Sequence, residues 1–453
     1  MRALIWFTQD LRLADNPLLF EAHRAAQEVL HVVFVGDLLR PASVPGLKGT
    51  SEHRKRFLFE AIAKLSEQLE HYGHKLLIIN GRAHEHLGIL LANYDIDAVY
   101  AAQQCAFDET ELWNFFDSAY PQVDFHSVSS ATLFKESALP FSAGEMPKQF
   151  TPFRKAIEAQ ATEPREQASA VLFSKPLKHA HKSMPLPKSI NSDQVFRGGE
   201  AAAMKHLHSY FGSLAPLSYK KTRNELQGFE SSTRFSPWLA QGSLSAVTII
   251  KALREYEDKH GANESTYWIY FELLWREFFF WSARQLGAKL FWKKGRNPTA
   301  PLTSFYPERF RAWTQGSTPW PLVNACMKEL ATTGYLSNRG RQVVASCLVN
   351  ELDLDWRYGA AYFEQQLLDY DAASNWGNWQ YLAGVGADPR GQRHFSLEKQ
   401  TQIYDPDRHY IDRWQGYKTV EQIDTRDAAD WPLTPDTNAQ IVSDDMTDQE
   451  RTH

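Results

Sequence analysis

Strand–helix alternation over residues 1–128 gives way to helix-only periodicity from residue 196 onward. This predicts two unlike halves: an α/β N-terminal domain built on a doubly wound parallel sheet, and a larger all-α C-terminal domain. A chain of 453 residues has room for both. A third observation is the placing of tryptophan: eleven of the fourteen lie between Trp238 and Trp414. Core packing can use any one of them, but their concentration in the helical half points to a planar ligand there.

In the first half, short apolar runs at Ala3–Phe7, Val29–Val35, Leu76–Ile79 and Ala98–Ala102 read as strands. The clearest helix between them is Glu52–Tyr72. Its Leu58, Ile62, Leu65 and Leu69 share one face, and Gly73 stops it. No G-x-G-x-x-G follows the first strand, where the chain reads FTQDLRLADNPLLFEA, and no G-x-x-x-x-G-K-[ST] occurs. Dinucleotide dehydrogenases and P-loop NTPases are disfavoured accordingly.

Residues 129–195 lose the pattern and carry seven prolines, with Lys175, Lys178, Lys182 and Lys188 clustered late. They read as a linker wrapped over the surface, its lysines a solvated face. From 196 to about 430, helical spacing recurs near 241–258, 263–286, 319–333, 339–352 and 356–369. Residues 431–453 read as a disordered acidic tail, with Asp436, Asp444, Asp445, Asp448 and Glu450.

Composition narrows the function. A net charge of −5 speaks against a general polyanion binder, so a nucleic-acid site would have to be a local basic patch. Three cysteines with no C-x-x-C pair speak against disulfide frameworks and zinc ribbons, and for a reducing, cytoplasmic setting. No stretch reads as a signal peptide or a membrane span. H-E-x-x-H and G-x-S-x-G are absent, and the histidine pairs His84/His86, His179/His181 and His206/His208 have the wrong spacing for one helix face, so no metal site is expected. Reactivity is expected to come from a bound cofactor.

Four segments carry the signal. In SSTRFSPWLAQGSLS (Ser231–Ser245), hydroxyl side chains precede Pro237 at the start of a helix, a place for caps or for a bound phosphate. In FELLWREFFFWSARQLG (Phe271–Gly287), Glu272/Arg276 and Glu277/Trp281 sit at i, i+4 on an aromatic helix, facing either water or a polar ligand pocket. GYLSNRGRQVVASCLVNELDLDWRYG (Gly334–Gly359) places Arg339 and Arg341 before an apolar helix. YFEQQLLDYDAASNWGNWQYLAG (Tyr362–Gly384) places Asp369 and Asp371 just before SNWGNWQY.

In this order and spacing, and with the opening IWFTQDLRLADNPLL, these segments resemble the photolyase/cryptochrome flavoprotein family over roughly residues 1–425. The resemblance implies FAD held non-covalently by the helical domain. Tyr219, Ser232, Thr233, Arg234, Phe235 and Ser236 would meet its phosphates, with Arg276 in the same pocket. Arg341 and Asp369 would pair beside the isoalloxazine, with Asp371 at its polar edge. Asn375 would face the reactive ring nitrogen, where an amide can hydrogen-bond a ring N–H but cannot release a proton at neutral pH. Trp379, Trp356 and Trp313 match an electron path, proximal to distal. Arg223, Glu272, Trp275, Asn338 and Arg339 match positions at a pyrimidine dimer or its phosphates.

NWGNW, Gln342 in place of the usual methionine, and Tyr381 in place of the usual tryptophan are similar to the cryptochrome DASH branch. A slimmer ring at Tyr381 offsets less of the cost of flipping a paired lesion, so single-stranded DNA is the expected partner, with RNA a second single-stranded candidate. The branch also implies a folate antenna, 5,10-methenyltetrahydrofolate. Gln104 in YAAQQCAFDE stands where a glutamate is usual and lacks its charge. Two functions follow: a light-driven dimer lyase acting as a monomer, or a blue-light photoreceptor. A flavin-free helical scaffold is the third and predicts a colourless protein.

Overall fold

The computed structural model describes residues 1–39, 47, 49–187, 195–386 and 393–417. Lys188, the end of the helical segment and the acidic tail at 431–453 lie outside the described residues.

Five parallel strands form the N-terminal sheet: β1 (Arg2–Phe7), β2 (Glu28–Phe34), β3 (Leu76–Ile79), β4 (Ala98–Ala102) and β5 (Asp124–Val128). Their order is β3-β2-β1-β4-β5, and a two-residue strand at Lys175–Pro176 adds to β2. The chain reverses direction across the sheet between β1 and β4, which makes this a doubly wound sheet with a ligand-binding crevice expected at that point. Helices α1 (Pro17–Ala25) and α2 (Glu52–His71) pack on one face, while α3 (Ala83–Tyr94) and α4 (Phe107–Ala119) pack on the other. Each strand read from the sequence is present. β5 escaped because it is a polar edge strand, mostly exposed, and so has no apolar run to read.

The linker reading needs one correction. Leu133, Phe134, Phe150, Phe153 and Ile157 are buried in the core of the helical half. Helix α5 (Phe150–Ala159) accounts for three of them, at i, i+3 and i+7 of one apolar face. Prolines obscured that period, and only the later part of the segment runs over the sheet.

The helical half contains α6 (Glu200–Phe211), α7 (Ser236–Gln241), α8 (Ala246–His260), α9 (Glu264–Leu286), α10 (Pro307–Gln315), α11 (Pro321–Thr333), α12 (Asn338–Ser346), α13 (Trp356–Gln366) and α14 (Ala372–Leu382). Two of the expected helices end or change early. The segment 241–258 breaks at Gly242, whose φ is +70° and where a Cβ would lie 2.0 Å from the Gln9 carbonyl oxygen. Only glycine permits that approach, and it seats the loop after β1 against the helical half. α12 passes into a π-helical turn at Cys347–Glu351, a local irregularity of the kind found near functional sites.

A buried polar network fixes the two halves together. Arg165 pairs with Asp15 through Nη1–Oδ1 at 2.7 Å and Nη2–Oδ2 at 2.9 Å. Arg12 donates to the carbonyls of Asp15, Ser130 and Gly242. The Glu200 carboxylate accepts from the amides of Leu13 and Ala14.

A second buried cluster has no acid partner among the described residues. His23, His31 and His74 lie with ring centroids 4.9–5.3 Å apart between β2, α1 and the connector at Ser174. Burial drives all three below the ordinary imidazole range, His23 to about 3. A base whose folded pKa is depressed contributes stability that is present above its unfolded pKa, about 6.5, and is lost as pH falls. Glu277 and Glu329, pushed up to about 7 by burial, carry the opposite sign: their contribution is lost as pH rises. His31→Phe isolates one imidazole. Relative to wild type, the variant should gain stability progressively as pH falls below about 6.5, because wild type loses the contribution of an imidazole held below its ordinary range. Urea midpoints across that window check it; a difference independent of pH refutes it.

Candidate functional site

One cavity in the helical half gathers most of the residues singled out in the sequence. It encloses about 1460 Å³, counting its open mouth. Tyr219, Arg223, Ser232, Thr233, Arg234, Phe235, Ser236, Glu272, Arg276, Asn338, Arg341, Gln342, Asp369, Asp371, Asn375 and Trp379 all line it.

One end is built from the turn before α7. The hydroxyls of this segment do not cap the helix: Phe235 is the N-cap residue and makes no side-chain cap bond. Among the described residues, Ser232, Thr233 and Ser236 spend no hydroxyl on a protein partner, which removes the capping explanation. Arg234 sits in the left-handed region at φ 49°. Its Nη2 donates to the Gly228 carbonyl, its guanidinium lies over the rings of Phe229 and Tyr335, and its Nε is buried without a partner. A non-glycine residue held there, with a buried donor left over, marks a site where a ligand completes the bonding. His206, considered in the sequence only as a metal ligand with His208, holds this turn: its Nε2 donates to the Thr233 carbonyl at 2.8 Å and its ring stacks on Trp238.

Deeper in, Arg341 Nη2 reaches both oxygens of Asp369 at 3.0 and 2.8 Å, and its Nε donates to the Leu336 carbonyl. Burial works against the guanidinium, but Asp369 and Tyr335 outweigh it and raise it above its ordinary range. Asp371 caps α14 by accepting from Ser374 N at 2.7 Å. Asn375, one turn further on, donates its Nδ2 to the Ala360 carbonyl at 3.0 Å. That bond fixes the amide and leaves Oδ1 as its free acceptor, suited to a ring N–H.

Near the mouth, Glu272 pairs with Arg223 rather than with Arg276. Burial raises the Glu272 carboxyl and Arg223 opposes it. Arg276 instead donates to the Ala131 carbonyl at 2.6 Å. Glu277, the neighbour that the helical spacing paired only with Trp281, is fully buried and accepts from Leu133 N at 2.6 Å as well as from Trp281 Nε1. The i, i+4 spacing gave no sign of either connector contact, because both cross more than 140 residues of chain.

Six of the sequence-selected residues lie elsewhere. Trp275 is half-buried, with Phe150 stacked on it at 3.8 Å, Phe279 at 5.4 Å and the Tyr381 ring nearly perpendicular to it at 6.0 Å. Tyr381 is bound by Arg393 through its hydroxyl and its ring. Arg339 lies over Tyr404 and Phe395. The tryptophan order also needs correcting. Trp313, expected outermost, is completely buried and meets Trp379 directly at 6.2 Å; Trp356, also buried, meets Trp376 at 5.8 Å. Trp313 therefore cannot be the surface end of an electron path.

Gln104 belongs to a second cavity of about 990 Å³ at the β1/β4 reversal of the sheet, beside Trp6, Thr8 and Trp113. Its Nε2 donates to Thr8 Oγ1 at 2.6 Å and to the Ala102 carbonyl at 3.0 Å, which leaves its carbonyl oxygen to accept from a ligand. No helix among the described residues is long and apolar enough to cross a membrane.

The main cavity fits FAD on its own evidence: unspent hydroxyls and a buried guanidinium N–H at one end, an ion pair and an oriented amide acceptor at the other. Comparison with known proteins agrees. Residues 3–170 match the family described as DNA photolyase, and residues 268–442 match the FAD binding domain of DNA photolyase. A Cryptochrome DASH of Idiomarina loihiensis is 47% identical over 433 residues, 95% of this chain and 96% of that one. One from Vibrio parahaemolyticus is 43% identical over 447 residues, 95% and 97% of the two chains. Among solved structures, a Synechocystis cryptochrome superposes with a TM-score of 0.85 at 36% identity, over 91% of this chain and 88% of that one. A class III photolyase from Agrobacterium tumefaciens gives 0.77 at 27%, over 91% and 86%. The chain binds FAD through its helical half and belongs to the photolyase/cryptochrome family, in its cryptochrome DASH branch.

Proposed function

We propose that the protein is a blue-light-driven lyase for cyclobutane pyrimidine dimers in single-stranded DNA. One observation carries the reading: a single open cavity joins the Arg341–Asp369–Asn375 end, suited to a flavin ring, to a mouth bearing Glu272, Asn338 and Gln342, suited to two pyrimidines. When bound and reduced, FAD supplies the light-excited electron that splits a dimer. The protein binds, orients and excludes water. Ser232, Thr233, Ser236 and Arg234 hold phosphates at one end, and Arg341, Asp369 and Asn375 fix the ring and its protons. Glu272, kept by Arg223 and carrying a raised pKa, hydrogen-bonds pyrimidine carbonyls or N–H groups at the mouth. Trp379, at the cavity wall, is the first electron donor to the ring.

Single-strand preference rests on the mouth. Trp275 is stacked on Phe150 and Tyr381 is tied to Arg393, so less open ring face is left to offset unstacking, which costs a few kcal/mol from duplex. The cavity at Gln104 is proposed to take a folate antenna, 5,10-methenyltetrahydrofolate, with the free Gln104 carbonyl accepting a pterin N–H. Illumination of reduced protein with dimer-containing oligonucleotides tests the function. Repair of the single strand is expected, with the same dimer in duplex repaired much more slowly. Absence of single-strand repair refutes the lyase reading and leaves the photoreceptor.

A further inference from the structure

The chain is acidic overall, yet between Glu277 and Glu308 it holds five cations and no carboxylate: Arg284, Lys289, Lys293, Lys294 and Arg296. The middle of that stretch, just after α9, is a loop with an exposed indole at its tip. Trp292 is 43% exposed, a large ring left in water by a fold that buries most of its tryptophans. The ammonium groups of Lys289 and Lys294 lie 6.0 and 5.6 Å from its ring centroid. Both distances are at the outer limit of a cation–π contact, and among the described residues neither lysine has a carboxylate partner. Both cations can therefore turn to an outside anion without breaking an ion pair.

The loop is held rigidly. Gln380 Nε2 donates to the carbonyls of Lys289 and Leu290 at 3.0 and 2.8 Å. Trp356 Nε1 donates to the Lys293 carbonyl at 2.9 Å, and the Arg296 amide to the Val385 carbonyl at 2.8 Å. Gly295 turns at φ +52° with its Cα so close that a Cβ would lie 2.3 Å from the Val385 oxygen. Three of these straps run to α14 or its end, and α14 carries Tyr381 one residue after Gln380. The exposed indole and the mouth of the cavity are thus fixed to the same helical turn.

An exposed indole with two cations near its ring matches the chemistry of single-stranded nucleic acid, which offers a base to stack and phosphates to neutralise every few ångströms. We propose that the loop 289–297 is a second contact for single-stranded DNA. A base outside the lesion stacks on Trp292, while Lys289 and Lys294 neutralise its flanking phosphates. This rests on the reading of the cavity as a DNA site, and adds a reason for single-strand preference: a paired base cannot offer its face to Trp292.

Fluorescence anisotropy of the full-length, flavin-loaded protein tests it, with two dimer-bearing oligothymidylates of about sixteen and about four nucleotides. Trp292→Ala should weaken binding of the longer strand by about 5- to 150-fold while leaving the shorter one and the flavin content unchanged. Lys289→Ala with Lys294→Ala should make the plot of log affinity against log salt shallower by about 1.4 for the longer strand. Wild-type affinity and salt slope in these variants overturn the proposal and leave the lyase reading standing. Failure of the wild-type protein to bind either strand overturns both.

Discussion

Asp369→Asn should release the flavin. Among the described residues, Asp369 is the carboxylate at hydrogen-bond distance from the Arg341 guanidinium, and both its oxygens are engaged at 2.8 and 3.0 Å. Its side chain is 2% exposed. The neutral amide leaves a buried guanidinium without its counter-charge and turns an N–H₂ toward it. Breaking a buried pair from one side costs about 3–5 kcal/mol. Since the same pair forms the wall of the cavity, much of that loss should appear as weaker cofactor binding, on the order of 10²–10³-fold. The purified variant should be close to colourless, and titration with FAD should show the weakened affinity. A variant that keeps its yellow colour and its affinity would take the pair out of the flavin site.

Arg165→Met should have a comparable effect by another route. Arg165 and Asp15 are almost wholly buried, with side chains 3% and 2% exposed, and neither lines the cavity. Burial alone would raise the Asp15 carboxyl; Arg165 overcomes that and holds it below its ordinary range. Methionine fills much of the space but leaves the carboxylate uncompensated, a loss of about 3–5 kcal/mol at neutral pH. The damage should shrink in acid, where Asp15 can take up a proton. Asp15→Asn combined with Arg165→Met should recover part of the stability, because removing both charges removes the uncompensated one. Unfolding in urea at neutral and acid pH measures this. Equal stability of Arg165→Met and wild type at neutral pH would contradict it.

These two pairs differ in how far the sequence announced them. Arg341 and Asp369 are 28 residues apart, in two motif segments whose family resemblance implies their pairing, and the pair is present. Arg165 lies in the proline-rich connector, and its partner is 150 residues away in a loop. Nothing local marks either residue. The same contrast runs through the helix α9. Its aromatic stripe and its charges were legible, and the i, i+4 spacing of Glu272 and Arg276 suggested a pair. The structure gives Glu272 to Arg223 and Arg276 to a connector carbonyl, because both partners approach from segments outside the helix. Glu277 was passed over for the same reason.

The cluster SNWGNWQY at residues 374–381 shows the limit most finely. Asn375 lines the cavity, as its motif implies. Trp376, without an assigned role in the sequence, donates to Glu364 and Tyr370 and touches Trp356. Asn378 donates back to the Ser374 carbonyl on the cavity side.

By itself the sequence determined the parallel sheet, the helical half and the set of residues gathered in the cavity. Those depend on apolar period, turn chemistry and motif spacing, which act over a few residues to a few dozen. Only the tertiary structure decided that Trp313 is buried against Trp379, that Trp275 is stacked on Phe150, and that Trp292 stands exposed near two lysines. Exposure and ring contact depend on which distant elements fold over a residue, and no local pattern encodes that.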